Sequence, residues 1–447
     1  MGRTRTASLA ALAIGALVGA VGVVDTSLAR PVRADATSVI HWNEVTVNTL
    51  AALPGPNGGA PPALQVNMGM VQGAVYDAVN AIGSPEHRPY LLRRRFGSRA
   101  SIEAAVATAA YEVARDIVAN AGAPPSDTER SLSALATEYG ASLAAVDAGP
   151  SKRRGVDAGH AAAAAMLAAR EDDGRFGPSQ WEPDPAVGHW QPLINPAGLP
   201  ILDPTPWVGG VEPFLVQSSS QFRSGPPPAL ESADYAEQFN EVANLGRAEG
   251  STRTTDETYV ARWWQSAPTR SWNEVARQLI ARNDLDAADA SRLLAMQNLS
   301  AADASITCWN DKYHYDFWRP WNAIPRAADD GNPATTADAD WTALITAPYP
   351  EWPSGHNCQD AAHVAFLRMF FGDAPSGGFQ ITSVSTLLTT ESRVRTFATF
   401  SQPLGELIDA RIWAGLHFRD SDVAGQQLGF DVAAYAAANF FQPVRNR

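Results

Sequence analysis

Apolar residues recur at helical spacing along most of this chain, and no stretch of useful length alternates polar and apolar residues as a half-buried strand would. The first half is rich in alanine, the strongest helix former. Helical spacing is clearest over residues 65–81 and 101–119, and an alanine run follows over 159–170. We therefore predict an all-α fold built of helical bundles.

Proline and tryptophan interrupt this pattern over residues 181–230, which hold three tryptophans and a run of three prolines. Because proline lacks a backbone donor and clashes with the preceding helical turn, a long helix is excluded here. We predict an irregular crossover packed on the surface, between an N-terminal helical region, 37–180, and a C-terminal helical region, 231–447. A chain of 447 residues exceeds what one core usually holds, which also favours two sub-bundles.

The N-terminus has the pattern of an export signal. Arg3 and Arg5 precede an apolar run over residues 7–24, and Ala-Asp-Ala at 34–36 fits a cleavage site. We predict a signal peptide over residues 1–36 and a secreted, extracytoplasmic protein without a membrane span. The alternative is a membrane anchor, since the run approaches spanning length, but alanine and glycine dominate it.

The formal net charge of −13 argues against nucleic acid or an anionic membrane surface as a partner. Within this acidic chain, two cations stand seven residues apart at Lys312 and Arg319. On one helix they would share a face, and their long side chains would reach a common anion. We expect Pro320 to end or kink that helix.

Two further segments suit an anion site. Ser354 is a typical N-cap residue before a helical run over 357–371, and a helix N-terminus offers free N–H groups. Gly355 permits close approach of a ligand, and His356 stands where an acid or base would be useful. Arg411 and His417 form the third segment, and we predict that the helix ends near Gly415, leaving His417 in the following loop.

Together these residues resemble the three-part signature of vanadium-dependent haloperoxidases and type 2 phosphatidic acid phosphatases. K-x6-R-P is matched from Lys312 to Pro320, and P-S-G-H is matched by 353–356. S-R-x5-H-x3-D is matched in part, because Ala410 replaces its serine and Ser421 its closing aspartate. The signature spans residues 309–422, and it makes 231–447 the catalytic region, with the oxyanion site in the C-terminal bundle.

The resemblance implies a vanadate cofactor, with phosphate able to occupy the same site. His417 would be the axial vanadium ligand, or in a phosphatase the nucleophile that forms a phosphohistidine. His356 would be the acid or base. The oxyanion's oxygens would be bound by Lys312, Arg319, Ser354, Gly355 and Arg411.

Two aromatic residues favour the haloperoxidase side of this superfamily. Trp309 lies three residues before Lys312, and Tyr349 lies seven before His356. Haloperoxidases resemble one another in carrying aromatic residues there, near the halide. We predict oxidation of halide by hydrogen peroxide, with a small organic molecule as a further substrate. A phosphatase acting through a phosphohistidine and a non-catalytic oxyanion-binding protein remain alternatives.

The missing closing aspartate leaves open which carboxylate orients His417, and Asp420, Asp422 and the more distant Asp303 are candidates. Cys308 and Cys358 each lie beside a motif, so they would form a disulfide or pack as two buried thiols. The preferred halide, the organic substrate and the oligomeric state are not fixed by the sequence.

Overall fold

The computed structural model describes residues 35–177 and 181–444, so the predicted signal peptide lies almost entirely outside the described residues. Helices dominate the described chain, which confirms the all-α prediction. One short antiparallel hairpin, Phe379–Thr382 paired with Val394–Phe397, was not predicted. The helices are α1 Thr37–Ala51, α2 Pro61–Asn80, α3 Ile102–Asn120, α4 Pro125–Ala144, α5 Pro150–Ala169, α6 Ala233–Leu245, α7 Thr255–Trp263, α8 Pro268–Arg282, α9 Ala287–Tyr315, α10 Pro320–Ala323, α11 Gly355–Phe371, α12 Ser401–Trp413 and α13 Arg419–Asn439.

The three helical stretches predicted in the first half correspond to α2, α3 and the second half of α5. Ser101 caps α3, because its side chain accepts a hydrogen bond from the Ala104 N–H at 3.1 Å. The sequence analysis did not single out α1 and α4. In α4 only Leu135 is fully buried, so this helix has almost no apolar stripe to reveal it.

The core is centred on α2 and α9, which are buried on nearly every side over most of their length. Small residues let these helices approach closely. A Cβ atom on Gly69 of α2 would lie 3.1 Å from the Cβ of Ala302 in α9. In the same way, a Cβ atom on Gly429 of α13 would lie 2.2 Å from the Cys358 carbonyl oxygen in α11. These contacts fix the helices that carry the candidate site.

The predicted crossover, residues 181–230, contains one regular element among its described residues, the short 3-10 helix Pro206–Gly210. Its expected surface position is wrong for Trp190 and Trp207, which are buried. The division of the chain at residues 180 and 230 stays a prediction. No helix in the described part of the chain is long and apolar enough to cross a membrane.

Candidate oxyanion site

Lys312 and Arg319 do not share a helical face, and that prediction is wrong. Helix α9 ends at Tyr315, and Asp316 adopts a left-handed conformation with φ of 47°. The chain therefore turns before Arg319, and Pro320 begins α10 instead of ending α9. Both cationic side chains are nevertheless fully buried, and they meet at the ring of Tyr349, whose centroid lies 5.2 Å from Nζ of Lys312 and 5.2 Å from Cζ of Arg319.

Ser354 is the N-cap residue of α11, as predicted, and the helix begins two residues before the predicted run. Its side chain makes no capping bond to the helix, so it leaves the first N–H groups of α11 available to a ligand. A Cβ atom on Gly355 would lie 2.9 Å from Cζ3 of Trp309. Glycine at this position thus lets the helix N-terminus lie directly against the Trp309 ring.

Arg411 lies in the last turn of α12, and His417 lies in the loop between α12 and α13. Gly415 has φ of 74°, which confirms the predicted helix stop. Any side chain at this position would also clash, because its Cβ atom would lie 2.5 Å from the Gly246 carbonyl oxygen. Both Arg411 and His417 are 3% exposed, so the turn places them inside the protein.

His417 is held between a carboxylate and a guanidinium. Its Nδ1 lies 2.8 Å from Oε1 of Glu351, and its Nε2 lies 3.1 Å from Nη1 of Arg319. A carboxylate accepts and a guanidinium donates, so we assign the proton to Nδ1 and a free lone pair to Nε2. Burial, followed by the charge of Arg319, holds the pKa of His417 well below its ordinary value. The imidazole is therefore neutral and can act as a ligand.

Glu351 is the functional residue that the sequence analysis missed. It is fully buried and also accepts the Phe418 N–H at 3.1 Å. The three proposed carboxylates are engaged elsewhere, so that prediction is wrong. Asp420 accepts from Gln238, Asp422 from Asn357, and Asp303 from the backbone of Phe214, Leu215 and Val216. The available signal was a lone acidic residue five positions before His356, between the first and second motifs.

The cations around His417 are short of partners. Nη2 of Arg319, together with Nε and Nη1 of Arg411, is buried without a hydrogen-bond partner among the described residues. Burial lowers the pKa of Arg411 to about 10. Unpaired buried donors on positive groups are costly, and an anion would satisfy them. The donor set therefore fits a tetrahedral oxyanion such as vanadate or phosphate.

Lys312 is already oriented by the backbone. Its Nζ donates to the carbonyl oxygens of Pro350, Glu351 and Pro353 at 3.0, 3.0 and 2.7 Å. Burial lowers its pKa to about 8, and the charge of Arg319 adds to that effect. The ammonium group is therefore held in place as a fixed positive charge below that pH.

His356 has its own fixed orientation. Its Nε2 lies 3.0 Å from the Ser266 carbonyl oxygen, so Nε2 carries the proton and Nδ1 is left with a lone pair. Burial, and then the charge of Arg411, lowers the pKa of His356 to about 3. An anion bound among these cations would raise that pKa again, because it would stabilise the imidazolium.

The two predicted aromatic residues lie against the cations. The ring centroids of Trp309 and Tyr349 are 5.1 Å apart, and Nζ of Lys312 lies 5.7 and 5.2 Å from them. Nε1 of Trp309 donates to Oδ2 of Asp203 at 3.0 Å. One wall of the site is thus aromatic and held in a fixed orientation.

The cysteines are not bridged. Cys308 and Cys358 are both buried free thiols, and Sγ of Cys308 donates to the Pro353 carbonyl oxygen at 3.6 Å. Of the two alternatives, the structure shows packing as small apolar groups. His363 is structural, as its Nε2 lies 2.8 Å from Oε1 of Gln65 in α2.

Comparisons with known proteins find similarity to vanadium haloperoxidases. Residues 292–446 match the family model for the second helical-bundle domain of VCPO. Vanadium chloroperoxidase from Curvularia inaequalis is 24% identical over 200 residues, which is 37% of this chain and 32% of that protein. The chain thus matches about a third of that curated relative's length.

Two solved bacterial proteins have the same fold. The first bacterial vanadium-dependent iodoperoxidase superimposes with a TM-score of 0.71 at 20% identity, covering 94% of this chain and 99% of that chain. A holo-type bacterial vanadium-dependent chloroperoxidase superimposes with a TM-score of 0.69 at 17% identity, covering 92% and 98%. Residues 292–446, which include the whole cationic site, therefore match a second helical-bundle domain of the vanadium chloroperoxidase type, and the described chain has the fold of bacterial vanadium-dependent peroxidases.

Proposed function

We propose that this chain is a secreted vanadate-dependent haloperoxidase, which oxidises halide with hydrogen peroxide to a hypohalous acid. The observation that carries the proposal is the state of His417. Its neutral ring is held by Glu351, and its Nε2 lies 3.1 Å from Nη1 of Arg319. Beside it lie guanidinium N–H groups of Arg319 and Arg411 that lack partners among the described residues. Such an arrangement combines a nitrogen ligand with counter-charges for an oxyanion.

The side chains divide into one metal ligand and several oxygen-binding groups. His417 would bind vanadium through Nε2, and the oxygens would be held by Arg319, Arg411, Ser354 and the Gly355 N–H. Lys312 would act on the anion as a fixed positive charge, because its three N–H donors are bonded to backbone carbonyls. When bound, vanadate would supply the Lewis acidity that activates hydrogen peroxide towards halide. Phosphate would compete for the same groups, because its shape and charge are similar.

His356 would accept and donate the proton that the reaction consumes. Halide, hydrogen peroxide and one proton give hypohalous acid and water, so halide loses the two electrons that the peroxide gains. The Nδ1 lone pair of His356 can accept that proton and return it, while the Ser266 carbonyl holds the opposite N–H. Trp309 and Tyr349 would form the halide pocket, since their rings already border the cations.

The test is halide oxidation by the metal-free protein, with and without added vanadate, alongside release of phosphate from an aryl phosphate. We expect oxidation of iodide or bromide that requires vanadate and is inhibited by phosphate. Phosphate release without any halide oxidation would instead identify a phosphatase that uses Nε2 of His417 as its nucleophile. Vanadate binding without either activity would identify a non-catalytic oxyanion-binding protein. N-terminal sequencing of the exported protein tests the proposed signal peptide.

A further inference from the structure

A cleft of about 460 Å³ shares Trp309 with the oxyanion site. Among the described residues that line it, none carries a charged side chain and four are glycines. The volume falls in the ordinary range for small-molecule sites. Its aromatic lining consists of Trp181, Trp207, Trp309 and Tyr313.

A single buried carboxylate fixes two of these rings. Oδ2 of Asp203 accepts from Nε1 of Trp309 at 3.0 Å and from the hydroxyl of Tyr313 at 2.6 Å. Oδ1 of Asp203 is held in turn by the backbone N–H and the hydroxyl of Thr205, at 2.7 and 2.8 Å. In the proposed oxidation of halide, Asp203 would only hold the Trp309 ring in place, and the Tyr313 hydroxyl has no part in it.

Glycine backbone forms another part of the lining. A Cβ atom on Gly209 would lie 2.7 Å from the Asn310 backbone nitrogen, so this segment rests directly on α9 beside Trp309. Gly210, the next residue, is different. It is exposed, and a Cβ atom there would meet no atom within 4 Å. The cleft therefore has one position where a side chain can be added without displacing backbone.

We propose that this cleft binds a neutral, planar aromatic molecule of the phenol or indole type and holds it beside Trp309 for halogenation. Fixed aromatic rings favour stacked or edge-to-face contacts with such a ligand. The uncharged lining disfavours anions, whose desolvation it cannot offset. Binding itself is independent of the proposed function, whereas halogenation rests on it.

The chemistry balances with the hypohalous acid that the oxyanion site would release. A ring carbon attacks the halogen, the carbon–halogen bond forms and the oxygen–halogen bond breaks. The ring proton leaves with the hydroxide as water. The Trp309 ring separates the two steps in space, because it lines the cleft and also packs on Gly355.

Phenol binding to the vanadate-free protein tests the cleft by isothermal titration calorimetry. We expect saturable binding that Gly210→Phe weakens at least tenfold and Gly210→Ala weakens less. Gly97→Phe is the control, because Gly97 is also an exposed glycine with open space around its Cβ position but lies outside the cleft. It should change binding less than twofold. Cyclohexanol, which has a similar size but no aromatic ring, should bind at least tenfold more weakly than phenol.

A second measurement separates failure of the cleft from failure of the proposed function. Iodide oxidation, followed as triiodide without an organic acceptor, should be the same within twofold in Gly210→Phe and the unmodified protein, which also shows that the variant is folded. The KM for phenol halogenation should rise at least tenfold in Gly210→Phe. Unchanged phenol affinity and KM in that variant would overturn the proposal that the cleft binds the aromatic substrate. If Gly210→Phe loses phenol affinity but the unmodified protein oxidises no halide, the cleft is confirmed as a phenol-binding site and the proposed haloperoxidase function is rejected.

Discussion

His417 is oriented by Glu351, which belongs to none of the three signature motifs. The third signature motif has an aspartate four residues after the histidine. This chain has Ser421 there, and its hydroxyl lies 3.2 Å from Nδ1 of His417. Glu351 supplies the carboxylate from the preceding loop instead, at 2.8 Å. Carboxylate partners of a metal-binding histidine fix its tautomer and raise its basicity. The same task is therefore performed from a different position in the chain.

Replacing Glu351 by alanine should weaken vanadate binding by about 10–100-fold, as expected when the carboxylate partner of a metal-binding histidine is lost. The Glu351→Gln variant should lose less, because its amide oxygen can still accept from Nδ1. Adding Ser421→Asp to Glu351→Ala should restore part of the affinity, since that side chain begins within hydrogen-bond reach of the ring. Vanadate titration of the metal-free protein measures each step.

Asp420→Asn is the control for this series, because Asp420 contacts Gln238 and not the histidine. If Glu351→Ala and the double variant lose the same vanadate affinity, Glu351 matters only for packing.

His417→Ala should abolish vanadium retention and halide oxidation, because it removes the one proposed protein ligand to the metal. Arg411→Ala should weaken retention less, since Lys312 and Arg319 still supply positive charge. Vanadium content after gel filtration distinguishes the two variants. Undiminished vanadium in His417→Ala would refute the assigned ligand, provided that His363→Ala, a buried histidine outside the site, also retains it.

At the scale of elements, the site is assembled from helix ends and one loop. Lys312 lies in the last turn of α9, Ser354 at the start of α11 and Arg411 in the last turn of α12. The loop over residues 349–353 directs four of its carbonyl oxygens at cations, one at Nε of Arg319 and three at Lys312. Backbone dipoles thus hold the cations in place before any anion binds.

Gly355→Ala should destabilise the protein by about 1–3 kcal/mol, the usual cost of overpacking a core. The new methyl would press on Trp309, whose ring is anchored by Asp203 and packed on Tyr349. Vanadate affinity should fall as well, because the N-terminus of α11 would have to move. Urea unfolding and vanadate titration measure both effects.

Gly405→Ala is the control, because this substitution should increase the stability of the protein. Gly405 lies on α12 with open space at its Cβ position, so alanine should stabilise the helix by about 0.5–1 kcal/mol. A Gly355→Ala protein as stable as Gly405→Ala would show that the contact with Trp309 is not restrictive.

Sequence patterns predicted the parts of this site that depend on local chemistry. The start of α11 at Ser354 and the stop at Gly415 follow from capping preferences and backbone freedom. The prediction that Lys312 and Arg319 share a helical face was wrong, because Asp316 between them adopts a left-handed conformation and ends the helix. The spacing of the two cations gives no sign of this helix end. Glu351 was missed for a related reason. Its contact with His417 is made across 66 residues by a loop whose path no periodicity records.

At the scale of the whole molecule, folding buries several carboxylates in a chain that is already acidic. Asp360 on α11 is fully buried near Arg411, and its Oδ1 accepts from Nε1 of Trp272 at 2.6 Å. Its Oδ2 has no partner among the described residues. Burial raises the pKa of Asp360 to about 7, so the folded protein favours the protonated acid. The stability of the protein is therefore coupled to pH through this position.

Asp360→Asn should change the pH dependence of stability. The folded pKa of about 7 lies above the ordinary value of 3.8, so the contribution of the wild-type carboxyl to stability is complete below about pH 4 and is lost as pH rises through 7. Asparagine keeps an acceptor for Trp272 and does not titrate. The unfolding free energy of the variant relative to wild type should therefore rise between pH 4 and 7, by on the order of 2 kcal/mol and at most about 4 kcal/mol. Urea unfolding at pH 5, 6 and 8 measures the difference, with the exposed Asp147→Asn as control for the loss of one surface charge. If the difference in unfolding free energy between Asp360→Asn and wild type stays constant across this pH range, as it should for Asp147→Asn, then Asp360 does not titrate as proposed.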